Sequence, residues 1–334
     1  MNSENITIEN KVIILQSMKD KNILFITYDL SGYYKAIKNE LKTHYYNVEY
    51  YNIASLKKYK YKHIFEKGFA AIYKVASKKK IKNYYQLQPI IDKTSSKTYD
   101  KIIIIRPDLF FDSQLKALKS RTDHFIAYYH DSISNIERKK EVVHFFDKAY
   151  SYEKKDVKDY QLEFLPNFIY LDDEPVIETP IYDAFTIMSD DYRLSTLEKL
   201  GRYLQKSNIN YKFLVQSDKK TVSAQVTFVK ERKSNKQVLN YLKKTKVIVD
   251  IHKYGIQDGL TFRVFESLYF EKKLITTNAD IKTYDFYNPN NILVIDPNNA
   301  INIPEDFFST PYEKVPSEIY QKYHYTNWLK TILS

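Results

Sequence analysis

The sequence contains no cysteine, so neither a disulfide framework nor thiolate chemistry is available to it, and redox arguments leave every compartment open. No run approaches the ~18 apolar residues needed to cross a bilayer. The opening decapeptide, MNSENITIEN, is polar and acidic, unlike a secretory signal, which makes the cytosol the expected compartment. Glycine is scarce: the chain has Gly32, Gly68, Gly201, Gly255 and Gly259, five in 334 residues. Two of them fall within one short segment, so backbone there is expected to adopt a left-handed conformation or to meet something closely.

Acidic charge is in deficit. Lys and Arg number 52 against 41 Asp and Glu, a net charge of +11, which favours anionic partners such as nucleoside diphosphates, nucleic acid or an acidic membrane surface. Composition alone does not choose among them, and an AT-rich coding sequence would give the same abundance of Tyr, Lys, Asn and Ile. Hydrophobic residues make up 43% of the chain, the share of a globular protein, and the length suits two domains rather than one core.

The segment VIVDIHKYGIQDGLTFRVFESLYFEKKLITTN, residues 247–278, carries most of the information. Val247, Ile248, Val249 and Ile251 form a β-branched run without helical period, which predicts a buried strand. Beyond Gly259 the period becomes helical, with Leu260, Val264 and Leu268 spaced by four and Phe265 and Tyr269 widening the stripe. Leu274–Thr277 resume an extended apolar run. A helix start behind a glycine offers unpaired N–H groups that suit a phosphate, and Arg263 adds a forked donor one turn in. Glu266 is the anomaly, a carboxylate among apolar neighbours that needs partners. Paired hydroxyls of a ribose would supply them, and Asp258 could meet a second sugar. The plain alternative is an Arg263–Glu266 pair at i,i+3 on a wet face beside an ordinary turn glycine.

Other elements repeat the βα pattern. Residues 22–28 read as a first strand, followed by Ser31 and Gly32 at its tip and an amphipathic helix through Leu41. Residues 46–51, 101–106 and 124–129 read as further strands, the last running into His130, Asp131 and Ser132. Residues 148–152 and 163–167 look like the last strands of a first half. The second half restarts with a strand at 184–188, a helix from about Arg193 to Gln205, and a strand at 211–215. Acidic residues 172–174 read as solvated linker. Between these, residues 57–86 are basic and aromatic, with Ile64, Phe65, Phe69, Ile72 and Val75 on one helical face. That stretch fits either contact with an anionic leaflet or a peripheral helix with a solvated lysine face. Nothing in the chain resembles a nucleic-acid reader, so no nucleic-acid partner is expected.

Asp258 and Glu266 are separated by seven residues. The run D-G-L-T-F-R-V-F-E resembles the E-x7-E motif of GT-B glycosyltransferases, with Asp258 one methylene shorter than the usual first Glu. With KKLITTN and the later YDFYNPNNI, it is similar to bacterial lipopolysaccharide and capsule biosynthesis glycosyltransferases related to the spore-maturation (CgeB-like) type. The resemblance implies an α/β GT-B fold of two Rossmann-like domains facing across a cleft. It places residues 1–167 as the acceptor domain, 168–180 as linker, 181–315 as the donor domain, and 316–334 as a helix returning to the first. It further implies Glu266 on the donor ribose, Asp258 on the donor sugar, and Gly259, Leu260 and Thr261 as the phosphate cradle, with Arg263 and Arg193 on the diphosphate. His130 and Asp131 would act at the reacting centre, and Ser31 and Gly32 would lie on the acceptor side. No metal or other cofactor is expected, since the nucleoside-diphosphate sugar is itself a substrate. The implied reaction is a retaining sugar transfer to a cell-envelope glycan at the inner face of the membrane. A sugar-nucleotide epimerase of the same fold and a non-catalytic basic membrane-surface protein are the alternatives.

Overall fold

The computed structural model describes residues 21–44, 46–77, 79–176, 178–219 and 222–334. The acidic N-terminal decapeptide read above lies outside the described residues. Chain contacts divide into two compact units: one runs to Ser151 and includes Asp156–Phe164, while the other takes Tyr152–Lys155 and Leu165–Ser334.

The first unit is built on a six-stranded parallel sheet. Its strands are β1 (Lys21–Thr27), β2 (Tyr46–Asn52), β3 (Lys101–Ile105), β4 (Phe125–Tyr129), β5 (Lys148–Ser151) and β6 (Glu163–Phe164), in the order β2-β1-β3-β4-β5-β6. Helices α1 (Lys35–His44), α2 (Ile64–Ser77), α3 (Ile81–Lys93), α4 (Asp112–Lys119), α5 (Arg138–Val142) and α6 (Lys154–Tyr160) connect or follow them, the division between units falling inside α6. Parallel strands covered on both faces need nearly continuous apolar sequence, which is what Ile102–Ile105 and Phe125–Tyr129 supply. Leu24, Ile26, Ile102 and Ile104 face Leu87, Ile90, Leu115 and Leu118 of α3 and α4 in one core cluster. The extended run expected over 163–167 shortens to two residues of strand, because the chain turns away at Leu165-Pro166.

The second unit has a six-stranded parallel sheet of β7 (Tyr182–Ser189), β8 (Tyr211–Gln216), β9 (Thr227–Val229), β10 (Thr245–Asp250), β11 (Lys273–Thr276) and β12 (Ile292–Val294). Its order is β12-β11-β10-β7-β8-β9, the doubly wound arrangement of a Rossmann domain. Helices α7 (Leu194–Lys206), α8 (Asn235–Lys243) and α9 (Phe262–Tyr269) cover it, and α10 (Ser317–Lys322) and α11 (Tyr325–Leu333) end the chain. Side-chain alternation along β10 feeds two cores: Ile248 packs with Val264, Phe265 and Leu268, while Val247 and Val249 pack with Leu197, Leu200 and Leu204 of α7. Each unit is thus one Rossmann-like domain, and the chain has the two such domains of the GT-B fold expected from the sequence. Among the described residues no helix is long and apolar enough to cross a membrane.

In residues 57–86 the lysines are solvated, as the plainer expectation has it, but the apolar stripe is exposed as well. The period is helical, as read, but α2 is turned so that its apolar side is outermost while Ala70 faces inward. Periodicity defines a stripe and is silent about which way it points.

The C-terminal helices group with the second unit. Ile169 N–H donates to Tyr323 O at 2.8 Å, Tyr325 N–H donates to Ile169 O at 3.0 Å, and Trp328 lies 5.0 Å from the Phe168 ring. Trp328 is the one tryptophan of the chain, so its emission reports on this tie. Phe168→Ala, which leaves a cavity beside the indole, should cost about 3–5 kcal/mol in the second unit and red-shift tryptophan emission before global unfolding. Urea unfolding followed by fluorescence checks this; an unchanged midpoint would contradict it.

Candidate functional site

Open parallel sheets present their chemistry at the carboxyl ends of the strands, beside the point where strand order reverses. In the second unit that point lies between β7 and β10. The loop after β7 carries Asp190, Asp191 and Arg193; the loop after β10 carries His252, Gly255, Asp258, Gly259 and Thr261. The two loops are tied together. Arg193 forks onto Asp191, Nε to Oδ1 at 2.8 Å and Nη2 to Oδ2 at 2.7 Å, and donates from Nη1 to the Ile251 carbonyl at 2.8 Å. Arg193 therefore stands beside the loop where the sequence placed it, but its guanidinium braces the two turns rather than standing open.

The segment 258–269 forms as read. Thr261 caps α9 with extended backbone, its Oγ1 accepting from Arg263 N–H and donating to Asp250 Oδ1 at 3.1 Å. Asp250, at the end of β10, also lies within reach of Thr276 Oγ1 on β11, so one buried carboxylate locks the helix start to the sheet. The Arg263–Glu266 pair at i,i+3 of the plainer alternative does form, but Glu266 is 1% exposed, so the pair is buried rather than on a wet face. One of its oxygens is bonded by Arg263 Nη1, and Oε1 accepts from Tyr170 O–H at 2.6 Å. The carboxylate found its partners inside the protein, and Tyr170, 96 positions away, carried no signal in sequence.

The phosphate cradle inferred at Gly259, Leu260 and Thr261 divides. The amides of Asp258 and Gly259 both donate to Glu153 Oε2, at 2.5 and 3.1 Å. Those of Leu260 and Thr261 take no acceptor among the described residues. Gly259 is not in a left-handed conformation; a Cβ there would lie 2.2 Å from the Tyr152 ring and 2.5 Å from the Tyr152 carbonyl. The residue is glycine because an aromatic ring and a backbone oxygen occupy its side-chain space. Gly255, by contrast, has φ +77 and serves the turn.

Glu153 is 1% exposed, and its carboxyl stands beside that of Asp258. Burial, then that neighbour, raise its pKa to about 8. A second carboxylate beside a buried one disfavours its charged form, so both causes push Glu153 toward holding its proton. Asp258 Oδ2 accepts from Lys155 N–H at 2.8 Å, while Oδ1 is buried and takes no donor among the described residues. Around the pair lie Asn278, whose Nδ2 donates to the Asp258 carbonyl at 3.0 Å, and Tyr284, whose hydroxyl is raised to an alkaline pKa by burial. His252 is 2% exposed and is held toward its neutral form by burial. Its Nε2 is buried without a partner among the described residues. Sequence spacing singled out Asp258 and missed Glu153, because nothing local marks a carboxylate that pairs with a residue 105 positions on.

The first unit has a corresponding edge. Asp29, just past β1, accepts four backbone N–H groups, from Ser31, Gly32, Tyr33 and Tyr34, at 2.6–3.2 Å. Gly32 has φ +80, so its glycine is conformational. The turn at Ser31 and Gly32 is thus filled by its own carboxylate. Tyr34 O–H meets His130 Nδ1 at 3.0 Å, and His130 Nε2 lies 3.6 Å from Asp131 Oδ2. Burial lowers the His130 pKa to about 4, making it neutral at physiological pH. Lys139 is fully buried; its ammonium donates to the Asp131 carbonyl, and burial lowers its pKa to about 8. Arg106, in a left-handed conformation, forks onto Asp108 at 2.8 Å for both bonds. The structure thus brings His130 and Asp131 together with Tyr34, Arg106, Asp108 and Lys139, none of which the sequence singled out.

Away from these loops, at the opposite end of α9, a cavity of about 670 Å³ is walled by Asp172, Asp173, Glu174, Tyr269, Tyr312 and Tyr320 among others. Acidic residues 172–174, read as solvated linker, therefore border a cavity. Among the described residues no group of three or more His, Cys, Asp or Glu is placed to hold a metal ion.

No protein-family model and no curated protein matches the chain. Solved structures do. A lipopolysaccharide outer core galactosyltransferase, WaaB, in its apo form is 13% identical, covers 93% of this chain and 98% of its own, and superposes with a TM-score of 0.54. A UDP-forming α,α-trehalose-phosphate synthase from Burkholderia xenovorans is 10% identical over 94% and 98%, TM-score 0.55. AviGT4, a glycosyltransferase of avilamycin A biosynthesis, is 8% identical over 94% and 96%, TM-score 0.55. Likeness at these identities is likeness of fold, over nearly the full length.

Two outcomes check the site. Because the folded protein favours a protonated Glu153, its contribution to stability is present below pH ~4.5 and is lost as pH rises toward about 8. Glu153→Gln, which mimics the protonated acid, should flatten the fall in melting temperature across that window; an unchanged slope would refute the raised Glu153 pKa. Gly259→Ala should destabilise by at least ~2 kcal/mol through the Tyr152 clash, measured by denaturant titration.

Proposed function

We propose that the protein is a glycosyltransferase that binds a nucleoside-diphosphate sugar in the second unit and passes the sugar to a cell-envelope glycan. The observation that carries this reading is the β10–α9 turn: two amides at Leu260 and Thr261 that take no acceptor among the described residues, Arg263 in the first turn, and Glu266 buried one turn behind, at the carboxyl edge of a Rossmann sheet. A leaving diphosphate departs only if its developing charge is met, and these amides with Arg263 meet it without a metal. Glu266 would receive the ribose hydroxyls in exchange for one of its present donors, Tyr170 or Arg263. Asp258, at the head of the motif, would take a hydroxyl of the donor sugar. Arg193 would act through the loop it braces. In the first unit Asp131, with neutral His130 beside it, would face the transferred sugar, and the turn at Ser31 and Gly32 would border the acceptor. Similarity to WaaB, which is named for a lipopolysaccharide acceptor, supports the envelope reading. Retention of configuration rests on the E-x7-E resemblance. The reaction would run in the cytoplasm, at the inner face of the membrane where lipid-linked glycans are extended.

The Glu153–Asp258 pair favours one second reading. A carboxyl that holds a proton near neutral pH is equipped for acid–base work, which a sugar-nucleotide epimerase requires. Product analysis separates the two: a nucleotide-sugar isomer formed with no acceptor present identifies the epimerase, while free nucleoside diphosphate formed in step with glycan extension identifies the transferase.

A thermal-shift screen across nucleoside diphosphates should find one that raises the melting temperature. Against that nucleotide, Glu266→Gln should weaken binding by about 1.5–3 kcal/mol, roughly 10- to 150-fold, by calorimetry; unchanged affinity in the folded variant would remove Glu266 from the donor site. Asp131→Asn should depress turnover far more than donor affinity, and equal loss of both would contradict its placement at the reacting centre.

A further inference from the structure

Helix α2 is built inside out. Ile64, Phe65, Phe69, Ile72 and Val75 are 79, 87, 56, 71 and 83% exposed, and at 100° per residue they fall on a single side together with Gly68. The inward side is held by buried Ala70 and by Tyr73, whose ring stacks on Phe111. An apolar stripe of this size is not left in water without a use. Its surroundings are basic: Lys57, Lys58, Lys60 and Lys62 lead into the helix, and Lys67 and Lys74 edge the stripe, all exposed. Between Lys57 and Ile91 the sequence has a single acidic residue, Glu66. Its carboxylate lies on the side of the helix away from the stripe, bonded by Tyr59 O–H and by Lys62 N–H at 2.7 Å. Against these six lysines, Glu66 is the one carboxylate within the segment.

We infer that α2 is a membrane-docking wedge, its apolar stripe seated among the acyl chains of an anionic leaflet and its lysines on the lipid phosphates. Charge complementarity selects this occupant. A second copy of the chain would bring two lysine-rich rims together, and like charges at that spacing repel. A lipid surface accepts the apolar side chains and neutralises the rim in one step, with no matching shape required. The inference stands independently of the transferase reading. If both hold, the docked face delivers the protein to a lipid-borne acceptor.

Co-sedimentation of the full chain with phosphatidylcholine vesicles, with and without phosphatidylglycerol, tests it in the absence of nucleotide and acceptor. Binding should require the anionic lipid and weaken with salt. Phe65→Ser combined with Ile72→Ser should lower it by about tenfold or more, and glutamine at Lys57, Lys58, Lys60 and Lys62 should remove most of its salt dependence. These positions are exposed, so the variants should melt as the parent does. Wild-type levels of binding by the serine variant would overturn the proposal. So would equal binding to neutral vesicles, or a vesicle-free dimer that the serine substitutions dissociate. A nucleoside-diphosphate thermal shift that survives in the serine variant keeps this outcome separate from the fate of the donor site.

Discussion

Parallel sheets concentrate backbone N–H groups. Every strand-to-helix turn at the carboxyl edge begins a helix, and each helix start leaves donors without intrahelical acceptors. The fold depends on what satisfies them, and here much of the work falls to carboxylates of the chain itself. Asp29 takes four amides in the first unit, Glu153 takes two in the second, and Asp250 anchors the α9 cap through Thr261. What remains open after this internal accounting is a narrower set of donors than a glycine-rich loop suggests. At the β10–α9 turn, among the described residues, it comes down to Leu260 and Thr261.

The same accounting explains the buried charges. Glu266 keeps Arg263 and Tyr170, and Arg193 keeps Asp191. Buried ions tolerate their surroundings only when paired. A ligand at this edge would therefore work by exchange, replacing one internal partner with one of its own groups, and discrimination would follow from how well that group reproduces the bond displaced.

Much of the architecture was legible in sequence. Apolar runs such as Ile102–Ile105 and Val247–Val249 announced buried parallel strands, and the change to helical spacing after Gly259 placed α9. Glu266 stood out because a carboxylate among Val264, Phe265 and Leu268 must be explained. Three things were not legible, each for a physical reason. Glu153 pairs with Asp258 through tertiary contact, which no local spacing encodes. The outward turn of α2 depends on which side its neighbours cover, whereas the period fixes only that a stripe exists. The length of β6 depends on where the chain leaves the sheet, and short edge strands carry little pattern.

Gly259 has a consequence of another kind. Its lack of a side chain is imposed by the ring and carbonyl of Tyr152 rather than by its own backbone angles. The two positions are therefore bound in their histories: a lineage that enlarges residue 259 must first move or shrink residue 152, and one that loses the ring relaxes the demand for glycine. Among descendants of this fold that keep the turn, glycine at the head of the motif should travel with the aromatic 107 positions before it, as a coupled pair of characters rather than as two separate marks of kinship.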